Sequence, residues 1–567
     1  PKGVCGADRD TIAARNFLRS VAAGSGCYIH VMEQAAKELK SAALAGRKLK
    51  GVDALHRLCD ELGIGEADDS QMALRLSEAV LEDLRRPYEE PMHLTEKLAY
   101  AKRTGVWKNA GLLPGGAKDE IFNAIVKTST NLNSDPMDML TQCLRLGIST
   151  GIYGLVLVNR LNDILMGEPE LGFDPVGMRV IDPECINIMV TGHQHSMFGS
   201  LTGMMEHPEI KEMADRAGAR GIRIVGCTCV GQDFQARSRC YEKVFCGHAG
   251  NNYSSEAVLL TGCIDLVVSE FNCSLPGIEP ICEELSIPML CLDDVAKKKG
   301  ARHLPYHPED REDVSVNVIA AAIASYVRRS RAGKRQNPMQ DHGCNEAVTG
   351  VTERTLKGAL GGSFAPLIDL IAAGSIKGVA AVVGCSNLRA KGHDVFTVEL
   401  VKKLIARDIL VVSAGCTCGG LENCGLMSRD AAGLAGPGLS QVCRSLGIPP
   451  VLNFGPCLAI GRIEAVAGEL AGALGVDLPK LPVVVSAPQW LEEQALADGA
   501  FALALGFHLH LGLAPFVMGS PVILDVLCNQ MEGITGGKLM VETEIDAAAE
   551  KIAAVISDKR RGLGLNE

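Results

Sequence analysis

One recurring pattern constrains this chain more than any other: a short β-branched and aliphatic run, a turn, then a cysteine or histidine. ILVVSAGCTCGG, Ile409 to Gly420, is the clearest case, with Cys416 directly after a Gly. Such runs read as strands buried on both faces, as a parallel sheet requires. INIMVTGH ends at His193, GIRIVGCTC at Cys227 and Cys229, IDLVVSEFNC at Cys273, VAAVVGC at Cys385 and PPVLNFGPC at Cys457. LPVVVSAPQWLEE runs past Pro488 to Glu492. Open α/β sheets bind ligands in the crevice outside the carboxyl ends of their strands, so donors on strand after strand can converge. A single strand-end Cys is more often a small buried hydrophobe than a ligand. Its repetition points to a buried metal–sulfur centre.

The 567 residues exceed what one core accommodates and predict several domains. A hydrophobic fraction of 47% with 22% charged residues is globular, and a net charge of -11 without a basic aromatic stripe excludes a nucleic-acid partner. The 21 cysteines, odd in number and scattered, do not form the framework of a secreted disulfide protein. Metal ligation in reducing surroundings fits them better. No apolar run of about 18 residues without polar interruption stands out, and no leader pattern opens the chain, which predicts a cytoplasmic protein with no membrane span.

Taken in order, the chain starts at PKGVCGADRD as though within a longer sequence, with Cys5 in a loop before a helix capped near Asp10 and Thr11. Apolar residues three and four apart continue to about residue 165 and predict an all-helical domain over 1–168. Strands then alternate with helices, predicting one doubly wound parallel-sheet domain over 169–332 and a second over 333–567. YVRRSRAGKRQNPMQD, basic and polar, reads as a solvated connection between them.

The stretches CGADRDTIAARNFLR, INIMVTGH, TGCIDLVVSEFNCSLP, VVGCSN, GCTCGGLENCGLM, PPVLNFGPC and DKRRGLGL resemble the anaerobic nickel-iron carbon monoxide dehydrogenases. These share a scaffold with the hybrid cluster proteins, which resemble hydroxylamine reductases. The resemblance covers nearly the whole chain. It implies a helical domain followed by two Rossmann-like domains. It also implies a large active-site cluster held by His193, Cys229, Cys273, Cys385, Cys416 and Cys457. Cys227 and Cys418 lie two residues from these ligands, and strand periodicity would turn each to the same side as its neighbour, so either is an alternative ligand. Cys5 matches the last ligand of an electron-transfer [4Fe-4S] cluster whose other cysteines would lie upstream. Either the chain is truncated or that cluster is absent. A homodimer and a ferredoxin-like electron donor are implied in the same way.

Around the cluster the chain departs from the carbon monoxide dehydrogenases. Tyr28 stands where that family has an active-site His, with His30 two residues on; Thr150 replaces an Asp and Gln494 a Lys. Gln and Thr cannot exchange protons near neutral pH, so CO oxidation is expected to be absent or poor. Glu492 falls where the hybrid cluster proteins carry a carboxylate ligand, and Asp233 lies near a second one. A hard oxygen donor favours an iron–sulfur–oxygen cluster over a nickel–iron–sulfur one. The first expectation is therefore reduction of a small N–O substrate such as hydroxylamine, with Tyr28, His30 or His195 supplying protons. Nickel-dependent CO oxidation with displaced acid–base groups is the second, and a redox sensor without turnover the third.

Overall fold

The computed structural model describes residues 2–65, 68–129, 132–333 and 344–566. Its first part is helical and built on Arg9–Leu44, a helix of 36 residues and so about 54 Å long. Asp8 caps it by accepting from the Thr11 amide at 2.8 Å, and its apolar side carries Leu18, Val21, Tyr28, Met32 and Leu39 into the core. Helix Pro136–Ser149 continues through a π-helical stretch, Thr150–Leu157, into Val158–Met166. By length and composition alone, Pro136–Met166 is long and apolar enough to cross a membrane. Its most apolar window is 89% buried inside the protein, which accounts for that composition.

Two six-stranded parallel sheets follow. The first orders its strands Phe245–Gly250, Ile222–Cys227, Ile186–Thr191, Leu266–Ser269, Met289–Cys291 and Arg302–His303. In the second the order is Val451–Asn453, Ile409–Ala414, Gly378–Val383, Val483–Ala487, His508–Leu511 and Leu539–Val541. In both, the first and fourth strands in chain order lie side by side, which is the doubly wound arrangement with its switch point between them. The predicted helical-then-twofold α/β class is what the chain adopts. An antiparallel ribbon pairs Gly172–Pro175 with Glu346–Thr349 ahead of the second sheet. Residues 334–343 of the basic connection lie outside the described residues.

Glycines set how closely the helical part meets the second sheet's helices. A Cβ at Gly24 would strike the backbone of Glu493, one at Gly151 the ring of Phe501, and one at Gly147 the Ala500 carbonyl carbon at 2.6 Å. Helix Glu493–Ala504 therefore lies directly against both Arg9–Leu44 and the Pro136–Met166 run.

Helix Ile460–Ala473 buries Glu464, where burial pushes the carboxyl up from 4.5 to about 7 despite Arg160 nearby. The folded-state value exceeds the unfolded one. The stability Glu464 contributes is thus full below pH 4.5 and is lost as pH rises through 7. Replacing it by Gln should raise the melting temperature at pH 8 relative to the parent and change it little at pH 4.5, as read by thermal denaturation at the two pH values.

Candidate metal centre

Both switch points carry donors, and the donors meet. In the first sheet His193 follows the first strand and Cys273 the fourth; the Cys273 Sγ lies 3.1 Å from His193 Nδ1. In the second, Cys385 follows the first strand and Glu492 the fourth, and the Leu491 and Glu492 amides face the Cys385 sulfur. Cys229 and Cys457 close the gap between the sheets. Ligand atoms of His193, Cys229 and Cys457 lie within 4.8 Å of one another, all buried, and the Cys457 amide donates to Cys229 Sγ at 3.3 Å. Cys416 adjoins Cys385 and Cys457, and Glu492 reaches within 3.6 Å of Cys273 Sγ.

The local backbone shows how this is held. Cys273 has φ +56° and Thr228 φ +54°, left-handed conformations that a β-branched Thr adopts only under constraint. The Thr228 hydroxyl accepts from the Gly192 amide at 3.0 Å and pairs with Thr191 Oγ1 at 3.1 Å, pinning the turn after one strand to the turn after its neighbour. Glu270 accepts from the His193 amide beneath.

Burial pushes the Cys229, Cys385 and Cys416 thiols well above their ordinary value. Cys273 is lowered by its hydrogen bond with Cys229, but burial and the Glu492 charge outweigh this. In Cys457 the contact with Cys229 and burial both act upward. Burial lowers His193 to about 3, and its Nε2 has no hydrogen-bond partner among the described residues. Five crowded thiols, four of them buried and that of Cys385 on a half-buried residue, and a neutral imidazole with an idle nitrogen fit soft transition metals with bridging sulfide, because a cation lets the thiols ionise.

The structure does not bring Cys227 or Cys418 into this group. Cys227 is the last residue of its strand, and the left-handed Thr228 then starts a helix; Cys227 belongs to the apolar cluster of Val225, Met189 and Cys246. Cys416 and Cys418 both lie in helix Cys416–Asn423, where residues two apart point away from each other. The Cys418 thiol faces the Gly455 carbonyl at 3.6 Å. The strand period assumed for these pairs had already given way to the helical one. Cys5 is exposed in the loop before the long helix, about 30 Å along that helix from Tyr28.

The candidate proton donors separate. His195 Nδ1 pairs with Asp233 Oδ2 at 2.9 Å, its ring lies 6.0 Å from that of His193, and its Nε2 is buried without a partner among the described residues. Asp233 is no free ligand: burial would raise it, but Arg237, 2.9 Å away, and His195 hold it well below the usual carboxylate range. Tyr28 meets His193 edge-on at 6.2 Å and donates to Asp498 Oδ2 at 2.9 Å. Burial pushes the phenol far up, so it is not a proton source near neutrality. His30 sits in a separate polar pocket, 2.9 Å from Asp293 Oδ2 and 3.0 Å from Gln194. Thr150 bonds Ser25 at 2.8 Å, and the Gln494 carbonyl oxygen accepts from Asn272. Sequence reasoning missed Asp498, although its place one turn after Gln494 was legible.

Two facing switch points lined with thiols, closed off by a helical domain, define a class of iron–sulfur oxidoreductases. The chain belongs to the Prismane/CO dehydrogenase family, whose model matches residues 1–546. It is 45% identical to a carbon monoxide dehydrogenase of Methanocaldococcus jannaschii, over 100% of this chain and 90% of that protein. It is 44% identical to one of Methanopyrus kandleri, over 100% and 89% respectively. A nickel-free carbon monoxide dehydrogenase from Thermococcus sp. AM4 superposes with a TM-score of 0.93 at 33% identity, covering 100% of this chain and 88% of that one.

Cys229→Ala should sharply lower iron content and the charge-transfer absorption of the reconstituted protein. Cys227→Ala should leave both unchanged. Equal losses in the two variants would contradict the separation of the pair.

Proposed function

We propose that this protein interconverts carbon monoxide and carbon dioxide at a metal–sulfur centre held by His193, Cys229, Cys273, Cys385, Cys416 and Cys457, with Glu492 at its edge. The convergence of these donors at both switch points carries the reading, and two relatives above 40% identity that bear this activity in their names support it over N–O reduction. The nickel–iron–sulfur form of the cluster follows from the same reading, and the hydroxylamine expectation gives way to it.

When bound, such a centre supplies an open metal site and a store for two electrons. CO and water give carbon dioxide, two protons and two electrons, so the polypeptide must take up protons in a buried site. His195 is placed for this. Its Nδ1 is fixed by Asp233, which Arg237 holds in turn, and the idle Nε2 is left to accept a proton. This arrangement replaces the ionisable groups missing at Tyr28, Thr150 and Gln494. Glu492, pushed up by burial to about 7, is a second acceptor beside Cys273. The electrons pass to a ferredoxin-like carrier, with exposed Cys5 as a candidate ligand of the intervening cluster.

The test is an anaerobic assay of metal-loaded protein, following viologen reduction with CO beside viologen oxidation with hydroxylamine. CO-dependent reduction is expected. His195→Gln should lower it by about 10²- to 10⁴-fold with metal content unchanged, the usual scale for one acid–base group. Turnover with hydroxylamine and none with CO would overturn the proposal in favour of the Glu492-liganded hybrid type.

A further inference from the structure

Away from the thiol-lined centre, three side chains from different parts of the fold meet at nearly equal distances. His30 comes from helix Arg9–Leu44, Gln194 follows the first strand of the first sheet, and Asp293 follows the fifth. His30 Nε2 lies 2.9 Å from Asp293 Oδ2, and Gln194 Nε2 lies 3.0 Å from each of these atoms. Gln194 and Asp293 are buried, and His30 is half-buried. Ligand atoms of His30, Asp293 and Asp294 also lie within 4.8 Å of one another.

Hydrogen atoms alone cannot satisfy this triangle. Burial would raise the Asp293 carboxyl, but the His30 hydrogen bond and the Ala296 and Val295 amides, each 2.7 Å from Oδ1, hold it below its ordinary value. An ionised Asp293 only accepts. If His30 Nε2 carries a hydrogen, it donates to Asp293; Gln194 must then offer His30 an oxygen and Asp293 an NH2 group from one and the same atom position. If Nε2 carries none, two lone pairs face each other at 2.9 Å. One side of the triangle is mismatched in either case, which is costly away from water.

A cation removes the conflict. With the Gln194 amide turned over so that its oxygen faces inwards, the triangle presents three lone pairs on one nitrogen and two oxygens. Two donors about 2.1 Å from one ion and at right angles to each other lie about 3.0 Å apart, which matches all three sides and makes one face of an octahedron. An imidazole with oxygen donors suits divalent first-row transition ions. Asp294 supplies a fourth donor. The adjoining cavity of about 40 Å³, lined also by Glu33 and His307, has room for about two or three waters at 10–15 Å³ each. Lys37 lines it too, with Glu33 3.6 Å from its ammonium to answer the charge.

We propose that His30, Gln194, Asp293 and Asp294 form a second metal site, which binds one divalent first-row transition ion between the helical part and the first sheet. Its donors are one imidazole and oxygens, with no sulfur. Because Gln194 stands between His193 and His195, the bound ion fixes the turn that carries both. The site does not depend on the reaction proposed for the thiol-lined centre.

Cobalt(II) is the probe. Crystals of the cluster-loaded protein soaked in it should show an anomalous peak that appears across the cobalt edge, about 2.1 Å from His30 Nε2, Asp293 Oδ2 and the Gln194 oxygen. In solution cobalt(II) should raise the melting temperature of the loaded parent, since an ion that binds only the folded chain stabilises it. His30→Ala and Asp294→Ala should each lose most of that shift. Asp294 is exposed, so its variant carries the test even if the His30 variant fails to fold. No peak at the triangle overturns the site. A peak without a shift in solution also overturns it, as binding at crystal concentration only, and so does a shift of equal size in the parent and the folded variants.

Discussion

Packing several ionisable donors into one water-poor crevice is the constraint on which this structure depends. Thiolates in a low-dielectric interior repel one another and lose hydration, and the upward shift of each thiol here expresses that cost. A metal–sulfur cluster reverses the sign, since its cations favour the ionised form. The fold supplies the geometry through two doubly wound sheets whose switch points face each other. Each contributes a donor from its first strand and one from its fourth, so that neither domain alone encloses the centre.

Bringing the sheets together leaves a polar seam between them, and it is filled systematically. His248 of the first sheet binds Glu422 of the second domain at 2.5 Å, with both side chains wholly buried. Gln235 and Asn453 donate to the same carboxylate at 3.2 and 3.3 Å. Gln232 reaches the Gly415 carbonyl at 2.6 Å, immediately before Cys416. Below them Asp163 takes both Arg237 and Arg462 at 2.7 and 2.6 Å, joining the helical part to each α/β domain. A mismatched seam would leave these groups buried and unpaired, so the network favours one relative placement of the three parts.

The helical part does more than cover the crevice. Gly24, Gly147 and Gly151 remove the side chains that would hold helix Glu493–Ala504 away. Tyr28, Gln494 and Asp498 owe their positions to this close approach. The strained turns at Thr228 and Cys273 are the corresponding feature of the first sheet. Backbone strain at both places is tolerated because surrounding hydrogen bonds fix it.

The sequence by itself determined the class of fold and the strand-end donors, because β-branched runs ending in a turn and a Cys are local signals that survive without knowledge of packing. The partners of the remaining groups were decided only by the tertiary structure. His30 and His195 look equivalent in the chain, yet one lies in an outer pocket with Asp293 and the other faces the centre with Asp233 behind it. Cys227 and Cys418 look like ligands until the strand-to-helix change turns them away. Asp498, 470 residues from Tyr28 in sequence, gains its meaning only through that contact. Local periodicity records which elements form; which side chains share a buried site depends on the crossing of distant elements, which no window of sequence contains.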